Sequence, residues 1–163
     1  PGGSSSDMTP YRVSAIEIAA TLATSEKRKA ILVGWIEHRD ALRRLGFDRG
    51  FQWLDGSFVE DKIPNDLDVV SFIYRPSGIS SATELLTLMR ANPDVFNRDE
   101  VKRRYQLDAF FVDLDGSAEG MIAATRYWLG LFSHRRGDDL WKGMLETRIE
   151  HTADDGSALA LLS

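Results

Sequence analysis

Hydrophobic and polar positions follow two rhythms along this chain. Ser14 to Leu22 carries Ile16, Ile18, Ala19, Ala20 and Leu22, which fits a short helix. Ser25 can cap a longer helix running to about Leu45. In it Ile31, Leu32, Trp35, Ile36 and Leu42 recur at helical spacing, and Gly46 suits the stop. The charges on its other face, Lys27, Arg28, Glu37, Arg39 and Arg43, read as solvated. Ser80 or Ser81 opens a helix through Arg90, and Pro93 interrupts it. Asn97 with Glu100 makes a capping-box-like start to a helix ending near Tyr105. Ser117 to Phe132 repeats the pattern, with Met121, Ile122, Ala124, Trp128, Leu129 and Phe132 on the apolar side.

The second rhythm is that of strands. Phe51 to Leu54 is a short strand running into Asp55-Gly56-Ser57, where glycine allows a tight turn. A helical turn is expected at Phe58 to Asp61, and Pro64-Asn65 breaks the chain again. Leu67 to Tyr74 (LDVVSFIY) is β-branched, aromatic and almost fully apolar, as a strand covered on both faces would be. Leu107 to Val112 (LDAFFV) is another. Lys142 to Glu150 alternates like a strand with one wet face. Asp154-Asp155-Gly156 reads as a turn, and Ala158 to Leu162 as the returning hairpin partner. Strands interspersed with helices predict an α/β or α+β domain, a small mixed sheet flanked by helices.

Composition narrows the picture. The chain has 163 residues, 43% of them hydrophobic, enough for one folded domain. Pro1 to Asp7 (PGGSSSD) reads as a tag remnant or flexible lead-in, so the expected single domain spans residues 8–163, with Met8 near the natural start. No apolar run nears the roughly 20 residues of a membrane helix. The absence of cysteine removes disulfides and thiolate chemistry and agrees with a cytoplasmic setting. A net charge of −5 argues against a broad nucleic-acid surface. Arg43-Arg44, Lys102-Arg103-Arg104 and Arg135-Arg136 are the local basic candidates, and they read first as solvated helix faces and loop ends.

The chemistry concentrates in Trp53 to Val70 (WLDGSFVEDKIPNDLDVV). Residues i and i+2 of a strand point the same way, so Asp66 and Asp68 share a face while Leu67 turns into the core. Two ionised carboxylates this close repel each other unless a cation sits between them. Mg²⁺ or Mn²⁺ answers that need, because such ions take oxygen ligands from a few carboxylates plus substrate phosphates. Gly56 at a strand-to-helix turn lets backbone N–H groups approach a phosphate, and Ser57 adds a hydroxyl. Asp108 lies within an apolar run, where an unpaired carboxylate would be expensive. Its rivals Asp113 and Asp115 precede Gly116-Ser117, where turn formation explains them.

Gly-Ser, a spacer of roughly ten residues and Asp-x-Asp on an apolar strand resemble the signature of the nucleotidyltransferase fold superfamily, the relatives of DNA polymerase beta. The segments PYRVS, GFQWLDGSFVE, PNDLDVVSF, YQLDAFFV and WKG together resemble a group of uncharacterised bacterial proteins of this fold. The resemblance implies that Asp66, Asp68 and Asp108 are catalytic metal ligands and that Gly56 and Ser57 contact a triphosphate. Phe58-Val59-Glu60 stands where many minimal nucleotidyltransferases carry Ala-Arg-Gly, and Lys142 is a candidate replacement cation.

The implied activity moves a nucleoside monophosphate from a triphosphate to a hydroxyl on a protein, such as a toxin, or on RNA. An antitoxin or bacterial defence component fits that size. The alternative is a non-catalytic protein of the same fold, an antitoxin or scaffold that acts by binding. His38, His134 and His151 lack metal-ligand spacing and are expected at the surface or core edge. Trp35, Trp53, Trp128 and Trp141 are expected in the core or at its edge, with a nucleobase-stacking role open to any one of them.

Overall fold

The computed structural model describes residues 9–60, 62–134 and 142–163. The lead-in, Met8, Asp61, Arg135-Arg136 and Trp141 lie outside the described residues. The chain runs β1 (Tyr11–Arg12), α1 (Ala15–Leu22), α2 (Glu26–Arg44), β2 (Gly50–Asp55), a 3-10 turn (Gly56–Val59) and β3 (Leu67–Ile73). It continues with α3 (Ala82–Ala91), α4 (Pro93–Phe96), α5 (Arg98–Tyr105), β4 (Leu107–Asp113), α6 (Ala118–Phe132), β5 (Leu145–Arg148) and α7 (Thr152–Leu162). The strands form one mixed sheet in the order β1-β5-β2-β3-β4. β3 and β4 are parallel, joined by the α3–α5 crossover, and β2 is antiparallel to β3 and β5. This is the expected mixed sheet with flanking helices.

Local chemistry starts most helices where the polar punctuation predicts. Ser14, Ser25, Ser81, Asn97 and Ser117 each accept a hydrogen bond from a first-turn N–H. Ser14 and Ser81 complete capping boxes with Glu17 and Glu84.

Two apolar layers hold the sheet. On one face Leu54, Leu67, Val69, Leu107 and Ala109 pack against Ile31, Leu32 and Trp35 of α2 and Val101 and Tyr105 of α5. On the other, Trp53, Val70 and Phe72 pack with Phe132, and Phe110 and Trp128 join them from the edge. A fully buried aliphatic chain of this kind stabilises by about 1.5–3 kcal/mol, so both faces of β3 are anchored. Its run of apolar residues is the signal of that two-sided burial.

The C-terminus departs from expectation. Asp154-Asp155-Gly156 lies inside α7 rather than in a turn, and Ala158 to Leu162 is helical rather than a hairpin strand. Acidic residues in a first helical turn are favourable. Asp155 is also pulled inward, its carboxylate meeting Arg39 Nε at 2.9 Å and Arg43 Nη1 at 2.7 Å. The face of α2 expected to be solvated is not so at two positions: Arg39 is buried by that pairing, and Arg28 is buried against the loop after β2. Arg39 donates further to Gln52 Oε1 and the Arg148 carbonyl, so the buried guanidinium is well satisfied.

His38 is fully buried rather than at the surface or core edge. Its Nε2 lies 2.9 Å from the Val95 carbonyl, and burial lowers its pKa to about 4, so the neutral ring donates from Nε2. On α6 the apolar side predicted from the sequence is only partly used. Phe132 is buried, but Ile122 is 69% exposed, because α6 meets the sheet chiefly near its C-terminal end. The alternation over Lys142 to Glu150 shortens to Leu145–Arg148, with Met144 and Ile149 buried beyond its ends.

Candidate functional site

The strand register brings the acidic residues together. Asp55, the last residue of β2, is paired with Asp68 on β3, and Asp68 is paired with Asp108 on β4. Cross-strand partners project from the same face, so three carboxylates form a row across three adjacent strands. Asp66, two residues before Asp68, joins the same mouth. The row sits on the α6 face, at the C-terminal end of β2 and the N-terminal ends of β3 and β4.

Gly56 closes the row from one side. Its φ is +81°, in the left-handed region that favours glycine, and a Cβ there would stand 1.9 Å from Asp68 Oδ2. The Asp68 carboxylate therefore lies against the backbone of the Gly-Ser turn. Ser57 follows in the 3-10 turn and lines the same cleft.

Arg28 fixes this turn from below. It donates to the carbonyls of Phe58 at 2.5 Å, Glu60 at 2.6 Å and Lys62 at 2.9 Å, with its guanidinium 5.0 Å from the Phe58 ring centroid. A charge that resembles a solvated helix residue in the sequence is the fastening of the loop.

The cleft above the row has a volume of about 610 Å³. Tyr127, Trp128, Leu131 and Phe132 of α6 wall one side, and the carboxylates with Gly56 and Ser57 line the other. Basic side chains enter from two directions. Arg98 engages Asp108 through two hydrogen bonds, the second at 2.6 Å from Nη2 to Oδ2. Lys102, one turn along α5, lies 2.6 Å from Asp66 Oδ2. Lys142 is 3.1 Å from Asp55 Oδ2 and 3.3 Å from Glu60 Oε1.

Asp55 was not singled out by sequence as a functional group. It is buried, and Oδ1 has no hydrogen-bond partner among the described residues. Burial pushes its pKa up to about 7, against the opposing pull of the Gly56 N–H and Lys142. Its signal in the sequence was an acidic residue ending an apolar strand, in step with Trp53. In the sequence Lys102 looks like part of a solvated basic run, and nothing there marks Arg98. Asp113 and Asp115 lie at the far end of β4 from the row, where Arg75 donates to both.

The chain as a whole can now be placed. The model of DUF6932, a family of unknown function, matches residues 4–148. The chain belongs to DUF6932. No curated protein and no solved structure matches it. The DUF6932 match spans every residue of the acidic row and the Gly-Ser turn.

The donor set suits a hard divalent cation, because it is all oxygen. The Asp68 carboxylate fills the Gly56 cradle, and Asp55 Oδ1, buried and without a hydrogen-bond partner among the described residues, is the orphaned oxygen of the row. Among the described residues, no three acidic or imidazole groups are gathered to hold an ion as they stand. Asp66 and Asp108 are turned onto Lys102 and Arg98 instead. Among the described residues no helix is long and apolar enough to cross a membrane.

Proposed function

We propose that this chain has the nucleotidyltransferase fold and is a metal-dependent nucleotidyltransferase. It would transfer a nucleoside monophosphate from a nucleoside triphosphate to a hydroxyl acceptor on a protein or RNA. The observation that carries this reading is the in-register row Asp55, Asp68 and Asp108 beside Gly56, with Asp66 at the same mouth.

Asp66, Asp68 and Asp108 would hold Mg²⁺ or Mn²⁺. The bound ion would supply charge stabilisation at the α-phosphate and at the leaving oxygen. The Gly56-Ser57 turn, chiefly through the Ser57 hydroxyl, would receive the triphosphate, as polar turns do for anions. The acceptor oxygen attacks the α-phosphorus, the bond to the β-phosphate oxygen breaks, and pyrophosphate leaves with the electron pair. Asp108 accepts the hydroxyl proton. Positioning and electrostatics carry such a reaction, since the protein forms no covalent bond. The aromatic side chains of α6 offer an apolar wall for a nucleobase or for an acceptor.

A second reading has a specific observation behind it. Asp55, Asp66 and Asp108 each already meet a cation, so the site is charge-compensated without a ligand. That arrangement also suits a non-catalytic antitoxin or scaffold. Incubation with labelled ATP, GTP, CTP and UTP plus cell extract separates the two. The enzyme predicts label transfer that disappears in both Asp66→Ala and Asp68→Ala. Transfer surviving both substitutions, or a melting curve unmoved by Mg²⁺ with every triphosphate, ends the enzymatic reading.

A further inference from the structure

Two cations at the acidic row come from one surface. Arg98 and Lys102 are four residues apart on α5, so they share a helix face. Arg98 holds Asp108 and Lys102 holds Asp66. The acidic partners are mostly buried, but the cations are not: the side chains of Arg98 and Lys102 are 58% and 51% exposed. Each therefore sits half in water above a carboxylate and lines the same cleft as Ser57. Half-exposed ion pairs of this kind are weak, because water screens them. They are easily exchanged for a better partner.

Charge counting sets the direction of exchange. Asp55, Glu60, Asp66, Asp68 and Asp108 line the cleft with Lys62, Arg98, Lys102 and Lys142. A polyphosphate entering that cleft alone meets carboxylates already matched by cations. A divalent cation entering alone must displace Arg98 and Lys102. When both enter, the metal takes the carboxylates and the two displaced side chains face the incoming phosphate oxygens. A guanidinium and an ammonium are the usual groups for that contact.

We infer that Arg98 and Lys102 form a polyphosphate subsite held in reserve on the acidic row. They exchange carboxylate for phosphate when a divalent cation binds. Both side chains touch the phosphate directly, and the device couples metal and polyphosphate binding. It rests on the proposed metal–triphosphate reading and goes beyond it by naming a basic edge, opposite Gly56 and Ser57, that grips the tail. The Arg98 guanidinium, 4.9 Å from the Phe110 ring centroid, keeps an apolar rest after leaving Asp108.

The test compares the wild type, Arg98→Gln/Lys102→Gln and Arg103→Gln by calorimetric titration with Mn²⁺ alone and with the Mg²⁺–ATP complex. Arg103 lies on α5 and, among the described residues, pairs with Glu100 rather than with the acidic row, so it controls for lost helix charge. In the double variant, Mn²⁺ binding should tighten and Mg²⁺–ATP binding weaken, each by roughly tenfold, within the usual range of coupling between sites. Arg103→Gln should change neither. Effects of opposite sign are the mark of exchange, since a misfolded site weakens both ligands. If the double variant leaves both affinities at the wild-type values, or weakens both, the reserve subsite is wrong. Wild-type Mn²⁺ binding that is lost in Asp68→Asn keeps the underlying metal reading intact in that event. No Asp68-dependent Mn²⁺ binding at all removes the metal reading, and the inference with it.

Discussion

Two arginine–aspartate pairings in this chain use the same chemistry for different ends. Arg39 and Asp155 meet between α2 and α7, with side chains 0% and 4% exposed. Gln52, the Arg148 carbonyl and the Trp35 ring complete the guanidinium's surroundings. Arg98 and Asp108 meet at the mouth of a cleft, where only the carboxylate is sheltered. The first pair has no other place to go: removing either partner strands a charge in the interior. The second can part, because water and incoming ions are available to both groups. Surroundings, rather than the pair itself, decide whether an ion pair is a fastening or a loading position.

The sharpest way to break this contrast is to cut both pairs. Asp155→Ala should destabilise the fold by about 3–5 kcal/mol, the usual consequence of leaving a buried charge alone, as read by urea unfolding. Asp108→Asn should cost under about 1 kcal/mol, because its partner is exposed. Equal losses of stability in the two variants would erase the distinction.

Function should sort the same residues in the reverse order. Asp68→Asn and Asp108→Asn should lower nucleotide transfer by about a hundredfold or more, the usual scale for losing a group that stabilises developing charge. Asp155→Ala, at a temperature where it remains folded, should retain transfer. Labelled-nucleotide assays at matched folded fractions check this. Gly56→Ala joins the two effects. Its positive φ and the 1.9 Å approach to Asp68 predict a loss of about 1–3 kcal/mol in stability, together with lost transfer.

The last expected effect is a slope against pH. Folding raises the pKa of Asp55 from 3.8 to about 7. Between those values the folded chain keeps a proton that the unfolded chain has released, so this group lowers stability as pH rises. His38 acts oppositely: its folded pKa of about 4 lies below 6.5, so its contribution to stability is lost as pH falls through that interval. From about pH 4 to 6.5 the two contributions oppose each other. Asp55→Asn should leave the His38 slope uncovered, with stability rising more steeply with pH by up to about 1.4 kcal/mol per unit. Melting temperatures across this window check it, and parallel wild-type and variant profiles would contradict it.

Much of the site was legible because strand geometry is local. Two-residue periodicity put Asp66 and Asp68 on one face, and the apolar flanks of Asp108 marked it as a buried carboxylate. That all three share one end of the sheet depends on the β3–β4 register, a pairing of segments about 40 residues apart that no local pattern fixes. Asp55 was hidden by its neighbours, since Asp-Gly-Ser reads as a turn until β2 is extended by one residue. Arg28, Arg39 and Lys102 read as solvated helix charges because their partners are distant in sequence. Asp155 shows the same effect on secondary structure: its pairing with α2 holds in a helix a segment that Asp-Asp-Gly alone marks as a turn.

If the acidic row holds a divalent cation, Mn²⁺ electron paramagnetic resonance reads that binding without any coupled assay. Titration of the wild type should show free Mn²⁺ signal suppressed by binding, and Asp68→Asn should return most of that signal at the same protein concentration. Superimposable titrations of wild type and Asp68→Asn would mean that the row holds no cation.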